Sequence, residues 1–309
     1  PPIKLTPFMN LKSDSGFKYV FGLDKNKSVI INTLDILFEG RLKIENITYR
    51  DKEMLPSKPG GKRILYDIYF TANGTSMHFI LEMQLYNHEF IGERILKYSI
   101  RPLVDQGTKG DLSYKLAPVY SIVFTSFNMP GLQHRLINRI ALCETTTMEL
   151  YSDKLNIILI SLAMLPKKWE NCNTKLERLL YLIKNMEKMD KNCKEYNDGE
   201  FKYLFDAAAT DMMCAEDVVA YSQSLQRLND IDLEIKYAKD KSFEEGTSKG
   251  LARGRAEGRA EERDKMARSL LAEKDLDLGF ISKITGLDID YLIRLKDCLL
   301  YTSPSPRDA

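Results

Sequence analysis

The chain has 309 residues, with 45 Lys and Arg against 44 Asp and Glu, for a net charge of +1. A balance that close excludes a global field recruiting nucleic acid, so any basic surface has to be local. The 44% hydrophobic share is ample for a core, the length predicts roughly two domains, and no apolar run reaches the ~18 residues of a membrane span.

No signal peptide opens the chain, and its start at Pro1 rather than Met is what a fragment would show. Five cysteines without a CxxC pair suit free thiols in a reducing cytoplasm, and three histidines argue against a histidine-rich zinc site. Lys12 to Gly22 predicts a helix, with Ser13 as N-cap, Gly22 as stop and Phe17, Val20 and Phe21 on its apolar face. Asp14 falls in its first turn, where a carboxylate suits the helix dipole. Lys27 to Leu42 predicts an amphipathic helix and Ile44 to Tyr49 a strand.

The central stretch is Arg63 to Gln84. It predicts a hairpin turning at Asn73-Gly74, because both residues accept the positive φ of a tight two-residue turn. That register sets Asp67 opposite Ile80. Asp67, Ile80, Glu82 and Gln84 then share one face, with Glu82 the diagonal neighbour of Asp67. Two converging carboxylates beside a carboxamide suit Mg²⁺, a hard cation that takes one or two carboxylates and fills its other positions with water and phosphate. The alternative is an edge hairpin whose acids simply face solvent.

A helix from about His88 to Gln106 follows, with Arg94 and Tyr98 on one face; Arg94 would contact a phosphate or form a surface salt bridge. Pro118 to Phe127 reads as a buried strand, and Cys143 to Leu150 and Leu155 to Leu162 as two more. The alternation makes an α/β domain. From Pro166 the pattern turns helical, over Trp169 to Met189 and Glu200 to Lys239, with Trp169 as a docking anchor. Gly246, Gly250, Gly254 and Gly258 then recur among Lys249, Arg253, Arg255 and Arg259. Each glycine costs a helix about 1 kcal/mol, which predicts a weak, exposed connector over Glu244 to Glu262. Lys265 to Glu273 continues as helix, and Leu278 to Lys296 reads helix, turn, helix about Thr285-Gly286-Leu287. Cys298 to Asp308 resembles, codon for codon, the translation of a transposase-based adaptor used in short-read library preparation. Residues 298–309 are therefore set apart as an artefact, with nothing packed beyond Thr302 and the native C-terminus expected to differ.

Asp14-x-x-Phe17-Lys18-x-x-Phe21-Gly22, then Asp67, Glu82-x-Gln84, Arg94 and Tyr98, resembles the Rpn-type PD-(D/E)XK nucleases, the recombination-promoting nucleases and transposases. The glycine-repeat tail and the Ile284-Thr285-Gly286-Leu287 ending are similar too. The resemblance implies an α/β, restriction-endonuclease-like core, a mixed sheet flanked by helices, with a mostly helical C-terminal region. The pattern along the chain divides it into a nuclease core at 1–165, a helical region at 166–240, and a glycine-repeat connector with a helix-turn-helix-like unit at 241–297. The resemblance also implies Mg²⁺- or Mn²⁺-dependent cleavage of DNA in the cytoplasm, without a membrane and with homodimerisation left open. Asp67, Glu82 and Gln84 would be catalytic. Asp67, Glu82 and the backbone carbonyl of Met83 would hold metal, and Arg94 and Tyr98 would meet phosphate. Gln84 stands where the superfamily usually has lysine. Two other readings compete: a catalytically weak DNA-binding protein that keeps the fold, and a regulatory protein whose acidic hairpin is structural.

Overall fold

The computed structural model describes residues 5–54, 63–72, 74, 76–106, 115–192, 199–273 and 276–301. They form two compact units, Pro1–Asn229 and Asp230–Ala309.

In the first unit, β1 (Ile47–Tyr49), β4 (Ile68–Ala72), β5 (His78–Gln84), β6 (Val119–Thr125), β7 (Ile137–Cys143) and β8 (Leu150–Ser161) form a sheet in the order β1-β4-β5-β6-β8-β7. β5, β6 and β8 run parallel and the remaining pairings are antiparallel, which makes the sheet mixed. β2 (Glu53–Met54) and β3 (Ile64–Leu65) make a separate small ribbon. Alternation along β5 does the sorting. Phe79 and Leu81 enter the main core with α1 (Asp14–Gly22) and α2 (Lys27–Leu37), while Ile80 joins Tyr66, Tyr69 and Val119 beneath α3 (Ile91–Val104). Helices thus cover both faces, as the resemblance implies. α4 (Lys175–Asn185) and α5 (Lys202–Ala208) extend the main core.

α1 is set in place by its first turn and its buried face. The Ser13 hydroxyl accepts the Gly16 N–H at 3.1 Å, and at Gly16 a Cβ would run into the Asn10 carbonyl oxygen, so only glycine fits. Phe17 and Phe21 are fully buried, Phe17 edge-on to Phe124 of β6 with ring centroids 5.8 Å apart.

The register of the β4–β5 hairpin differs from the expected one. Tyr69, not Asp67, lies opposite Ile80, and the Ala72 N–H donates to the Met77 carbonyl, so the connection takes residues 73–76. Gly74 and Ser76 have φ of +81° and +55°; Asn73 lies outside the described residues. The change amounts to two positions, and because side chains alternate with period two, each keeps its face. Asp67 moves from diagonal to Glu82 to level with it. The first arm is also split at Tyr66 and Asp67, where the Tyr66 N–H donates to Lys52 of the β2 side. Cys143 to Leu150 is not a strand but the turn between β7 and β8: the Glu144 carboxylate accepts the N–H groups of Thr146 and Thr147 at 2.9 and 2.7 Å and ends the extended run.

Glu200 to Lys239 is likewise broken. α5 ends at Ala208, and α6 (Ala215–Leu271) begins after a short 3₁₀ turn, Thr210–Met212. Thr210 donates its N–H to Pro7 and its hydroxyl to Thr6, which pins the break to the start of the chain. The segment Glu244 to Glu262 is helical and exposed as expected, and a Cβ at any of Gly246, Gly250, Gly254 or Gly258 would meet nothing within 4 Å.

In the second unit, Ala267 packs with Ile281 of α7 (Leu278–Thr285) and with Leu292 and Leu295 of α8 (Ile289–Tyr301). Asp277 caps α7 by accepting the Gly279 and Phe280 N–H groups, and Gly286, at φ +68°, makes the turn. Residues from Thr302 onward lie outside the described residues. Among the described residues no helix is long and apolar enough to cross a membrane.

Candidate active site

Asp67 precedes β4 and Gln84 ends β5, so the antiparallel pairing brings them to the same end of the sheet. The contact between them runs through Glu82. Glu82 Oε1 accepts the Asp67 N–H at 3.1 Å, and Glu82 Oε2 accepts from the Gln84 carboxamide at 3.2 Å. Asp67 Oδ2 accepts the Met83 N–H at 3.0 Å. Each carboxylate therefore takes the place of a main-chain acceptor on the opposing strand, which locks both against the β4–β5 pairing. Met83 itself turns toward the main core.

Glu82 is only 4% exposed, and its neighbours Asp67, Met83 and Gln84 line a cleft of about 300 Å³ together with Lys12, Asp14, His88 and Arg94. Burial, and then the adjacent Asp67 charge, push the Glu82 carboxyl up to about 8, against the pull of the Asp67 N–H, Arg94 and Lys18. Burial also raises Asp67, opposed by the Met83 N–H and by Lys18. Burial is the larger cause at both carboxyls, and a divalent cation between them would offset it. Their hard oxygens fit Mg²⁺. Among the described residues no group of three or more His, Cys, Asp or Glu gathers to hold a metal, so a hard ion using this pair would draw its other ligands from carbonyl, water and phosphate.

Arg94 lies one turn into α3 with its guanidinium 5.1 Å from the Tyr98 ring centroid, and its charge acts on both carboxylates. Tyr98 faces the small cluster under α3. Its ring is edge-on to Tyr66 at 5.8 Å and its carbonyl accepts the Tyr66 hydroxyl at 3.0 Å. Arg94 reaches the cleft, whereas Tyr98 supports it from behind.

Residues to which the sequence alone assigns no role also gather here. Lys18 of α1 places its Nζ 2.5 Å from Asp14 Oδ1 and 3.8 Å from Asp67 Oδ1. Lys12 lines the cleft and pairs with Glu187 at 3.6 Å. Lys52 is lowered by burial and by Lys18, and opposed by Asp67 and Asp14. A signal for Lys18 exists in the sequence: it stands four residues after Asp14, on the same face of a helix whose other face is buried.

A family model described as PD-(D/E)XK nuclease family transposase matches residues 11–238. Neither the curated proteins nor the solved structures offer a match to the chain. The match takes in the whole mixed sheet, α1 to α5 and the start of α6, and the chain therefore belongs to the PD-(D/E)XK nuclease family of transposases.

Proposed function

We propose that the chain is a Mg²⁺-dependent DNA endonuclease, able to use Mn²⁺, that hydrolyses phosphodiester bonds in recombination or DNA mobility. The observation that carries this reading is the Asp67–Glu82 pair itself, two mostly buried carboxylates hydrogen-bonded across the β4–β5 pairing with the Gln84 carboxamide beside them. Asp67 and Glu82 would hold the ion, with the Met83 carbonyl as a third ligand. When bound, Mg²⁺ supplies charge neutralisation at the scissile phosphate and a more acidic water. Gln84, already donating to Glu82, orients that water through its carboxamide. Arg94, backed by Tyr98, takes a flanking phosphate oxygen. Hydrolysis breaks one phosphorus–oxygen bond: the hydroxyl of water joins phosphorus, and its proton goes to the departing sugar oxygen.

The test is nicking of supercoiled plasmid with Mg²⁺, with Mn²⁺ and with chelator. Wild type nicks with either ion and not with chelator, and Asp67→Ala nicks with none. Nicking retained in Asp67→Ala refutes the assignment at this site. Gln84 itself favours a second reading, a DNA-binding or regulatory protein of low catalytic power. That reading predicts oligonucleotide binding with no cleavage under any of these conditions.

A further inference from the structure

At Gln84 a carboxamide stands where the fold family usually places a lysine. It can donate a hydrogen bond but carries no charge, so a phosphate entering the cleft would meet two carboxylates with no ammonium on that strand. The structure brings one from another element. Lys18 projects from α1, and its Nζ lies 3.8 Å from Asp67 Oδ1 and 2.5 Å from Asp14 Oδ1, two carboxylates that line the cleft. Its backbone is held rigidly: Phe17 and Phe21 are fully buried on either side of it, and the Tyr49 hydroxyl donates to the Phe21 carbonyl at 2.8 Å.

The other cations near the cleft are placed for other contacts. Lys12 pairs with Glu187 at 3.6 Å, Arg94, over the Tyr98 ring, is the clamp on a flanking phosphate oxygen, and Lys52 is half-buried and repelled by Lys18. Lys18 is held by Asp14 at 2.5 Å, a carboxylate whose side chain is 62% exposed. Solvent around the Asp14 carboxylate weakens its hold on the ammonium. Asp14 therefore aims the ammonium without trapping it, and a phosphate oxygen can replace Asp14 as its partner at little cost.

We propose that Lys18, aimed by Asp14, is the phosphate-contacting ammonium of the cleavage reaction, supplying from α1 the charge that Gln84 does not supply from β5. Lys18 is then a catalytic residue and Asp14 a positioning residue. The inference rests on the nuclease reading above, and its test separates the two.

The experiment compares wild type, Lys18→Ala, Lys18→Arg and the double variant Lys18→Ala/Gln84→Lys, with two readouts. The first is plasmid nicking with Mg²⁺. Lys18→Ala should lose roughly 100-fold in kcat, the scale of removing one charge-stabilising donor. Lys18→Arg should keep most of the rate, and the double variant should recover most of the loss, because the ammonium returns to the site by the other route. The second readout is binding of duplex oligonucleotide in chelator across a salt series. Lys18→Ala should bind at least threefold more weakly, with a salt slope smaller by about 0.9, the signature of one lost phosphate contact. Full nicking activity in Lys18→Ala, or a double variant no faster than Lys18→Ala, overturns the proposal. If wild type itself does not nick, the nuclease reading falls, and Lys18 is judged by the salt series alone: an unchanged slope overturns its phosphate contact and a reduced slope sustains it.

Discussion

Glu82→Gln removes the charge that the buried site resists while keeping the side chain's shape. The substituted amide can still accept the Asp67 N–H, which the wild-type carboxylate accepts at 3.1 Å, and the Gln84 carboxamide can turn its oxygen toward the new amide. The magnitude follows from the raised pKa. An ordinary glutamate titrates near 4.5 and Glu82 in the fold near 8, and each pH step between these values costs the folded state roughly 1.4 kcal/mol. The raised value means that Glu82 costs nothing while it is protonated in both states, below about pH 4.5. The cost then grows as pH rises and levels off above about 8. At pH 7 metal-free wild type carries a penalty of about 3 kcal/mol, which Glu82→Gln abolishes. At roughly 2 °C per kcal/mol for a domain of this size, its Tm in chelator should exceed that of wild type by about 6 °C at pH 7, with little difference at pH 4.5. Saturating Mg²⁺ should raise the wild-type Tm and leave the variant's nearly unchanged. Thermal melts across pH 4.5–8, with and without Mg²⁺, make the comparison. A variant no more stable than wild type at pH 7, or a gain equal at both pH values, refutes the reasoning.

Gln84→Lys places an ammonium within reach of Glu82 Oε2, where the carboxamide now sits at 3.2 Å; nicking should be retained or raised, and a folded but inactive variant would show that the carboxamide has a role lysine cannot fill. The buried Tyr221 hydroxyl receives the Asn10 N–H at 2.6 Å, so Tyr221→Phe leaves that donor unpaired and should cost about 1–3 kcal/mol in chemical denaturation; no loss would mean that water replaces the hydroxyl. Gly250→Ala and Gly254→Ala put a Cβ into open space on α6 and should each add about 1 kcal/mol of helix propensity, raising helical circular dichroism, whereas a loss of stability would reveal another backbone pressed against the stripe.

What is legible in the sequence depends on how local its cause is. The start of α1 is readable because Ser13 caps it through its own side chain. The shared face of Asp67 and Glu82 is readable because alternation survives a register change of two. The register itself is not, since Asn73-Gly74 signals a short turn while the chain closes instead between Ala72 and Met77. β7 escapes sequence reading because it is an edge strand with its outer residues exposed, so its apolar pattern is weak. The threonine run after Cys143 has strand propensity, but the Glu144 carboxylate takes its N–H groups for a turn. The break before α6 depends on Thr210 meeting Thr6 and Pro7, a contact across the fold that no local pattern records. Lys18 is readable as the i+4 partner of Asp14; its approach to Asp67 needs the fold.

The central claim is that Asp67 and Glu82 together hold one divalent ion. Titration of Mn²⁺ into metal-free protein, followed by electron paramagnetic resonance of the free ion, tests it without reference to catalysis. Wild type should take up one Mn²⁺, displaced by excess Mg²⁺, with affinity rising as pH increases toward 8 and the raised Glu82 carboxyl ionises. Asp67→Asn and Glu82→Gln, each folded by circular dichroism, should lose that site. Uptake of Mn²⁺ by both variants with wild-type affinity would contradict the account.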